Sequence, residues 1–293
     1  MKNEIERIAV LDAEGIVYII GYDNAGIQDE EYVMSKVDEF LNSIFMSVKA
    51  DSYIGILGAI TEEGEVSKNF RMSIAKQKQY KGNRTKPEWY HVWCRKIEHY
   101  MIHKWGFLRS EPDVEADDVV SSIHAHFMKM PKCLPILCEN DKDLGQMFGH
   151  HYNFKKNESS IITPNEAQFN LFSQVLIGDS TDNIPGLKGV GKVGAKAILD
   201  AEDAFAGNYH LVTLYEYTKK LGLDQGIQQF YENYMLVKMR EDLDPNPYIL
   251  SGLQTYDPHK FVLDTLSKGF TSPKTPPTLI ASDDELNSLF KIN

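Results

Sequence analysis

Short apolar segments alternating with longer stretches of helical periodicity constrain the first half of this chain more than any other feature. Residues 5–11 read as a buried strand that ends at Asp12, and residues 53–57, 134–138 and 159–162 read as further strands. Between them, residues 31–48, 89–105 and 116–128 repeat apolar positions at three- and four-residue spacing, as amphipathic helices do. Strands alternating with helices predict an α/β fold, a mainly parallel central sheet covered on both faces. After Pro164 the texture changes. Helices are expected at 165–177, 209–221 and 225–239, with a Gly-rich stretch at 178–194 and no further strands. The predicted division is an α/β domain at 1–163 and a helical region at 164–293, with 272–277 as a linker or loosely held tail.

An apolar share of 42% in 293 residues supports a proper core. No apolar run approaches the roughly 20 residues of a membrane span, and the opening MKNEIERIAVLD has no secretory character, so a cytoplasmic protein is expected. Cys94, Cys133 and Cys138 lack the paired spacing of a zinc site and read as ordinary thiols. The net charge of −11 argues against phosphate binding until its distribution is read. Residues 66–87 carry Lys68, Arg71, Lys76, Lys78, Lys81, Arg84 and Lys86 and no acid, a basic island in an acidic chain. The acids cluster elsewhere, and gathered carboxylates repel unless cations neutralise them.

Four acidic groups stand at predicted strand ends and helix starts. Asp12 ends the first strand. Glu115, Asp117 and Asp118 precede a helical run, Asp141 and Asp143 follow the strand at 134–138, and Asp179 and Asp182 stand one helical turn apart. Each group alone reads equally well as a helix cap or a turn. Converging on one crevice, they would suit hard divalent cations, two of which activate a water and stabilise the leaving oxygen of a phosphodiester. The segment IPGLKGVGKVGAKAIL, residues 184–199, has the form of a helix-hairpin-helix. Gly186, Gly189, Gly191 and Gly194 let a DNA backbone approach, a helix start offers free N–H groups, and Lys188, Lys192 and Lys196 add charge. A P-loop is the competing reading, and it fails for want of a preceding strand and a Gly-Lys-Ser or Gly-Lys-Thr ending. In QYKGNR, Tyr80 is expected to stack on an unpaired base while Lys81 and Arg84 reach a phosphate; a solvated basic loop is the plainer alternative.

Together these motifs resemble the flap endonuclease or 5′-nuclease family, particularly its short stand-alone bacteriophage members. The resemblance rests on VLDAEG, YKGNR, VEADDV, ENDKDL and GDSTDNIPGLKGVGKVGAKAIL, in the family's order, and covers residues 8–200. It implies a PIN-like nuclease domain in which Asp12, Glu115, Asp117, Asp118, Asp141, Asp143, Asp179 and Asp182 hold two or more Mg²⁺ ions, with Mn²⁺ able to substitute. It places Lys81 and Arg84 at the base of a helical arch, where they assist catalysis, and K⁺ at the hairpin. The implied activity is 5′-3′ exonuclease or flap endonuclease action on DNA with a free 5′ end, flap or nick, in replication or repair. The expected protein is a monomer whose tail meets a replication partner. Removal of RNA from RNA–DNA hybrids and a non-catalytic DNA-binding protein remain the alternatives. Two departures stand out. Many members have Asp where this chain has Ala59, which predicts compensation by Glu62 or another nearby acid, or sufficiency of the rest. Only residues 85–114 separate Arg84 from Glu115, which implies a short or open arch.

Overall fold

The computed structural model describes residues 5–60, 68–83, 88–201 and 208–259. Its strands are β1 (Glu6–Asp12), β2 (Ser52–Leu57), β3 (Leu108–Arg109), β4 (Cys133–Glu139), β5 (Gly149–Asn153), β6 (Glu158–Ile162) and β7 (Gln254–Thr255). They form one sheet in the order β3-β2-β1-β4-β5-β6, with β7 beside β2. β1 pairs parallel with β2 and β4, and β3 and β5 continue the parallel run. Only β6 and β7 are antiparallel. The helices are α1 (Glu14–Asp23), α2 (Glu30–Val48), α3 (Phe70–Ile74), α4 (Glu88–Trp105), α5 (Ala116–Phe127), α6 (Pro164–Ile177), α7 (Lys192–Leu199), α8 (Tyr209–Leu221), α9 (Leu223–Val237) and α10 (Asn246–Gly252).

The pleat of β1 divides the core. Ala9 and Leu11 face a cluster with Ile16 of α1, Val37 and Leu41 of α2, and Ile97 and Met101 of α4. Ile8 and Val10 face Val119, Val120 and Ile123 of α5 on the other side. A third cluster joins α6 to α9 around Phe172, Val175, Tyr217 and Phe230. Covering both faces this way leaves the carboxyl edge of β1 and β4 as the open end of the sheet.

The chain after residue 163 is not purely helical. β7 pairs antiparallel with β2 at Ser52 and Tyr53, and the Tyr256 ring packs against Phe45 at a tilt of 55°, so the C-terminal segment rejoins the sheet. The 272–277 tail lies outside the described residues. No described helix is long and apolar enough to cross a membrane.

α5 and β5 meet at two buried histidines. His124 is 1% exposed and neither ring nitrogen has a hydrogen-bond partner, while His151 Nε2 lies 2.8 Å from the Met147 carbonyl. Burial, reinforced by His151 and His150, pushes the His124 imidazole down to about 3 from 6.5. An unfolded chain therefore takes up a proton here that the fold refuses. The stability this contributes is complete above pH 6.5 and is lost as pH falls from 6.5 toward 3, about 2 kcal/mol of it by pH 5. His124→Leu should accordingly raise the urea midpoint at pH 5 relative to wild type more than it does at pH 8. An equal change at both pH values would refute the assignment.

Candidate active site

Glu115 occupies the N-cap position of α5 in extended backbone and makes no capping bond, so its carboxylate is free to point elsewhere. Asp117 and Asp118 follow in the first turn, where the helix dipole favours negative charge. Oxygens of these three carboxylates lie within 4.8 Å of one another, a grouping able to hold a metal ion.

Arg71 of α3, 1% exposed, organises this group. Its Nη1 donates to Asp118 Oδ2 at 2.6 Å and Glu115 Oε2 at 2.7 Å, and its Nη2 donates to Asp118 Oδ1 at 2.8 Å. The Nε and Nη2 also donate to the Leu236 and Lys238 carbonyls at the end of α9, both at 3.0 Å. Asp118 Oδ1 accepts a further bond from Arg240 N at 2.9 Å. Both oxygens of Asp118 are thus committed to protein donors and the residue is fully buried, whereas Glu115 and Asp117 are only partly buried. Arg71 is also withdrawn from the basic island that the sequence offered as a DNA path.

A second group follows β4 and α6. Asp141 caps a short 3₁₀ helix (Lys142–Gln146), accepting from Asp143 N at 2.9 Å. Asp179, 2% exposed, closes the turn after α6: its Oδ1 accepts from Thr181 N at 2.7 Å. Gln174 Nε2 spans Asp143 Oδ1 at 2.7 Å and Asp179 Oδ2 at 3.2 Å, and Lys142 pairs with Asp179 at 3.0 Å.

Tyr80 and Lys81 join the two groups. The Tyr80 hydroxyl lies 3.0 Å from Glu115 Oε2 and 2.9 Å from Asp182 Oδ2. Lys81 Nζ pairs with Glu115 Oε1 and lies 3.9 Å from Asp182 Oδ2, while its N–H bonds the Asp182 carbonyl at 2.9 Å. Lys81 takes a φ of 54°, uncommon for a side chain of this kind, and that bond helps to hold it there. Its ammonium offsets the charge of Glu115 most strongly and also that of Asp12, Asp117 and Asp141, so acids at the end of β1, the start of α5 and the turn after β4 share one cation.

Electrostatics express the crowding. Burial, then Glu14 and Asp141, push the Asp12 carboxyl up to about 8. Burial, then Asp12 and Asp141, push Glu139 to about 8 as well. Asp117 and Asp143 are raised well above the carboxylate range by burial and their neighbouring acids. Burial also opposes ionisation of Glu115, yet Lys81 and Arg71 hold it below its usual value.

Several expectations change. Tyr80 is 5% exposed, packed in the α6–α9 cluster with its hydroxyl on two carboxylates, so its ring is not open to stack on a base. Gly186 is not a surface for DNA either. It has φ +62°, and a Cβ there would fall 2.3 Å from the Ile177 carbonyl, so the residue serves close packing against the end of α6. Ala59 contributes only a methyl, its N–H bonded to Ser110 Oγ at 2.9 Å. Arg84 and Glu62 lie outside the described residues. The remaining loop positions do face outward. Gly189 needs its φ of +79°, whereas Gly191, the N-cap of α7, meets nothing within 4 Å and has φ −103°, which any residue adopts. Lys188, Lys192 and Lys196 are exposed around it, as is Val193 at 86%.

Sequence reasoning missed Arg71, Gln174 and Glu139. Arg71 looked like one more basic-island residue, and its partners are 44 and 47 residues away. Gln174 sits in an unremarkable helix. Glu139 had a usable signal, an acid at the carboxyl end of a buried strand.

No family model matches the chain. It is 31% identical over 112 residues to a 5'-3' exonuclease of Buchnera aphidicola subsp. Baizongia pistaciae, covering 35% of this chain and 37% of that protein. It is 32% identical over 109 residues to DNA polymerase I of Deinococcus radiodurans, covering 34% of this chain and 11% of that protein. The matches therefore span well under half of the relatives' length. Among solved structures, bacteriophage T5 5′-exonuclease with bound zinc superposes with a TM-score of 0.61 at 16% identity, over 84% of this chain and 92% of that one. A T5 flap endonuclease complexed with DNA and metal ions gives 0.58 at 17% identity over the same shares. The chain thus shares local sequence similarity with 5'-3' exonucleases over about a third of its length, and a fold with the T5 structures along most of it.

Proposed function

We propose that this protein is a divalent-metal-dependent nuclease that hydrolyses DNA phosphodiesters near a 5′ end, as a 5′-3′ exonuclease and flap endonuclease. The observation that carries the proposal is the convergence of acids from β1, α5, β4 and the α6–α7 loop around Lys81. The T5 flap endonuclease complex with DNA and metal ions, which shares this fold, supports the same reading.

The donor set fits hard cations. The converging side chains offer carboxylate oxygens, with no Cys or His among them, which suits Mg²⁺ or Mn²⁺ rather than zinc. Bound there, two such ions supply an activated water and neutralise charge on the leaving oxygen. Asp12, Glu115, Asp117, Asp141, Asp143, Asp179 and Asp182 would hold them, and Asp118 would act through its grip on Arg71. Lys81 offers a donor to a phosphate oxygen whose charge grows in the transition state. Gln174 and Tyr80 hold the acids at fixed separations across the crevice. The bare backbone at Gly189 and Gly191, with the N–H groups at the start of α7, would bind duplex phosphate in the manner of a helix-hairpin-helix.

A requirement for an end tests this reading against a general endonuclease. With Mg²⁺, nicked circular duplex should be degraded while covalently closed circles persist; cleavage of closed circles at a similar rate would overturn it. Phosphate contact through the loop lysines makes a second prediction. DNA binding in EDTA should weaken steeply with salt, and Lys188→Ala or Lys192→Ala should each lower the slope of log affinity against log salt by about one. A slope unchanged by both substitutions would remove the loop from the DNA interface.

A further inference from the structure

A carboxylate at the end of β4 has no role in the site described above. Glu139 is the last residue of β4, level with Asn153 of β5, and is 8% exposed. Its Oε2 is buried without a hydrogen-bond partner. An acid in such a place is normally satisfied by donors, because an unpaired buried carboxylate is costly. Here its surroundings add negative charge instead: Asp12 at the end of β1 and Asp141 just beyond β4 both act on it, and Lys156 is the cation that offsets them. A buried, unpartnered oxygen at the end of β4, next to the end of β1 where Asp12 stands, is suited to ligate a cation.

The neighbouring position explains why an extra acid belongs here. The carboxyl end of β2 carries Gly58 and Ala59, neither of which has an oxygen ligand on its side chain. Glu14, at the start of α1, reaches over that same strand end: its Oε1 lies 2.1 Å from where a Cβ on Gly58 would stand. Asp12 feels Glu14 more strongly than any other charged group. Among the described residues, the acids that act on Asp12 are therefore Glu14 of α1 and Asp141 just beyond β4, and β2 contributes none.

We infer that Glu139 is a further ligand of the divalent cation held by Asp12 and Asp141, supplying the carboxylate that β2 does not. The inference rests on the nuclease reading for the identity of the cation, and it adds a residue that reading did not contain. The role is specific to Glu139, because Asn140 and Cys138 beside it carry no carboxylate.

Mn²⁺ binding tests it without reference to turnover. Wild type and Glu139→Gln are titrated with Mn²⁺ alone, free ion being followed by electron paramagnetic resonance, and thermal unfolding is recorded in EDTA. The neutral isostere should weaken one class of Mn²⁺ sites by roughly 10- to 100-fold, the range seen when groups supporting a metal site are lost. It should also unfold in EDTA at or above the wild-type temperature, since the buried Oε2 makes no hydrogen bond that the substitution would remove. Unchanged Mn²⁺ affinity and stoichiometry overturn the inference and leave the nuclease reading standing. A lower unfolding temperature in EDTA overturns it too, by showing that Glu139 is a structural acid. Wild type that binds no Mn²⁺ overturns the nuclease reading itself, and this inference with it.

Discussion

Arg71→Met is expected to destabilise the protein by about 3–5 kcal/mol, the largest single-residue effect outside the apolar core. The guanidinium is the counter-charge of Asp118, which is 0% exposed and receives two of its N–H groups. Methionine fills similar volume but leaves that carboxylate buried and uncompensated. The same substitution releases the Leu236 and Lys238 carbonyls, which otherwise end α9 with their acceptors satisfied. Asp118→Asn in the Arg71→Met background should recover a large part of the loss, because the unpaired charge is then gone. Urea denaturation of the two single variants and the double variant measures this. A loss below about 1 kcal/mol for Arg71→Met would mean that the buried pair is not what fixes α5 against α9.

Asp117→Asn and Asp179→Asn are each expected to lower cleavage by roughly 10³-fold or more, several kcal/mol of transition-state stabilisation. DNA affinity in EDTA should stay within a few-fold of wild type. The two residues lie in different acid groups, one opening α5 and the other closing the turn after α6. An equal loss from both would tie the groups to one reaction. Retained turnover in the Asp117 variant would detach the α5 group from the chemistry. Asp179 carries a risk that Asp117 does not, since its Oδ1 organises the backbone at Thr181 and Asp182. Asparagine keeps an acceptor oxygen for those N–H groups, which is why it is the substitution of choice.

The sequence exposed much of this architecture because apolar runs are a strong signal. β1, β2 and β4 stand out as short apolar segments, and α2, α4 and α5 as stripes. α1 was hidden for the opposite reason. Ile16, Val17 and Ile20 are buried while Tyr18, Ile19 and Tyr22 are half-buried, so apolar residues surround the helix and no stripe forms. β5, whose sequence is GHHYN, and the two-residue β3 and β7 carry no pattern to detect.

At the site, the acids were legible one group at a time, but their partners were not. Nothing local to FRMSI says that Arg71 turns inward, because the reason is Asp118, 47 residues away. Tyr80 failed in the same way: its neighbours in sequence are basic, whereas its hydroxyl meets Glu115 and Asp182, 35 and 102 residues distant. Charge patterns along a chain show which residues carry charge. Burial and long-range contacts decide which of them remain available to a ligand.

The central claim, that the converging carboxylates form a metal-dependent nuclease site for 5′ ends, is tested most directly by cleavage of end-labelled DNA. Single-stranded, nicked and 5′-flap substrates are incubated with wild type or Asp179→Asn, in Mg²⁺ or in EDTA. The account predicts short products released from 5′ ends or flaps by wild type in Mg²⁺ alone, and none from the variant. Equal cleavage by the variant, or DNA binding without cleavage by either protein, would contradict it.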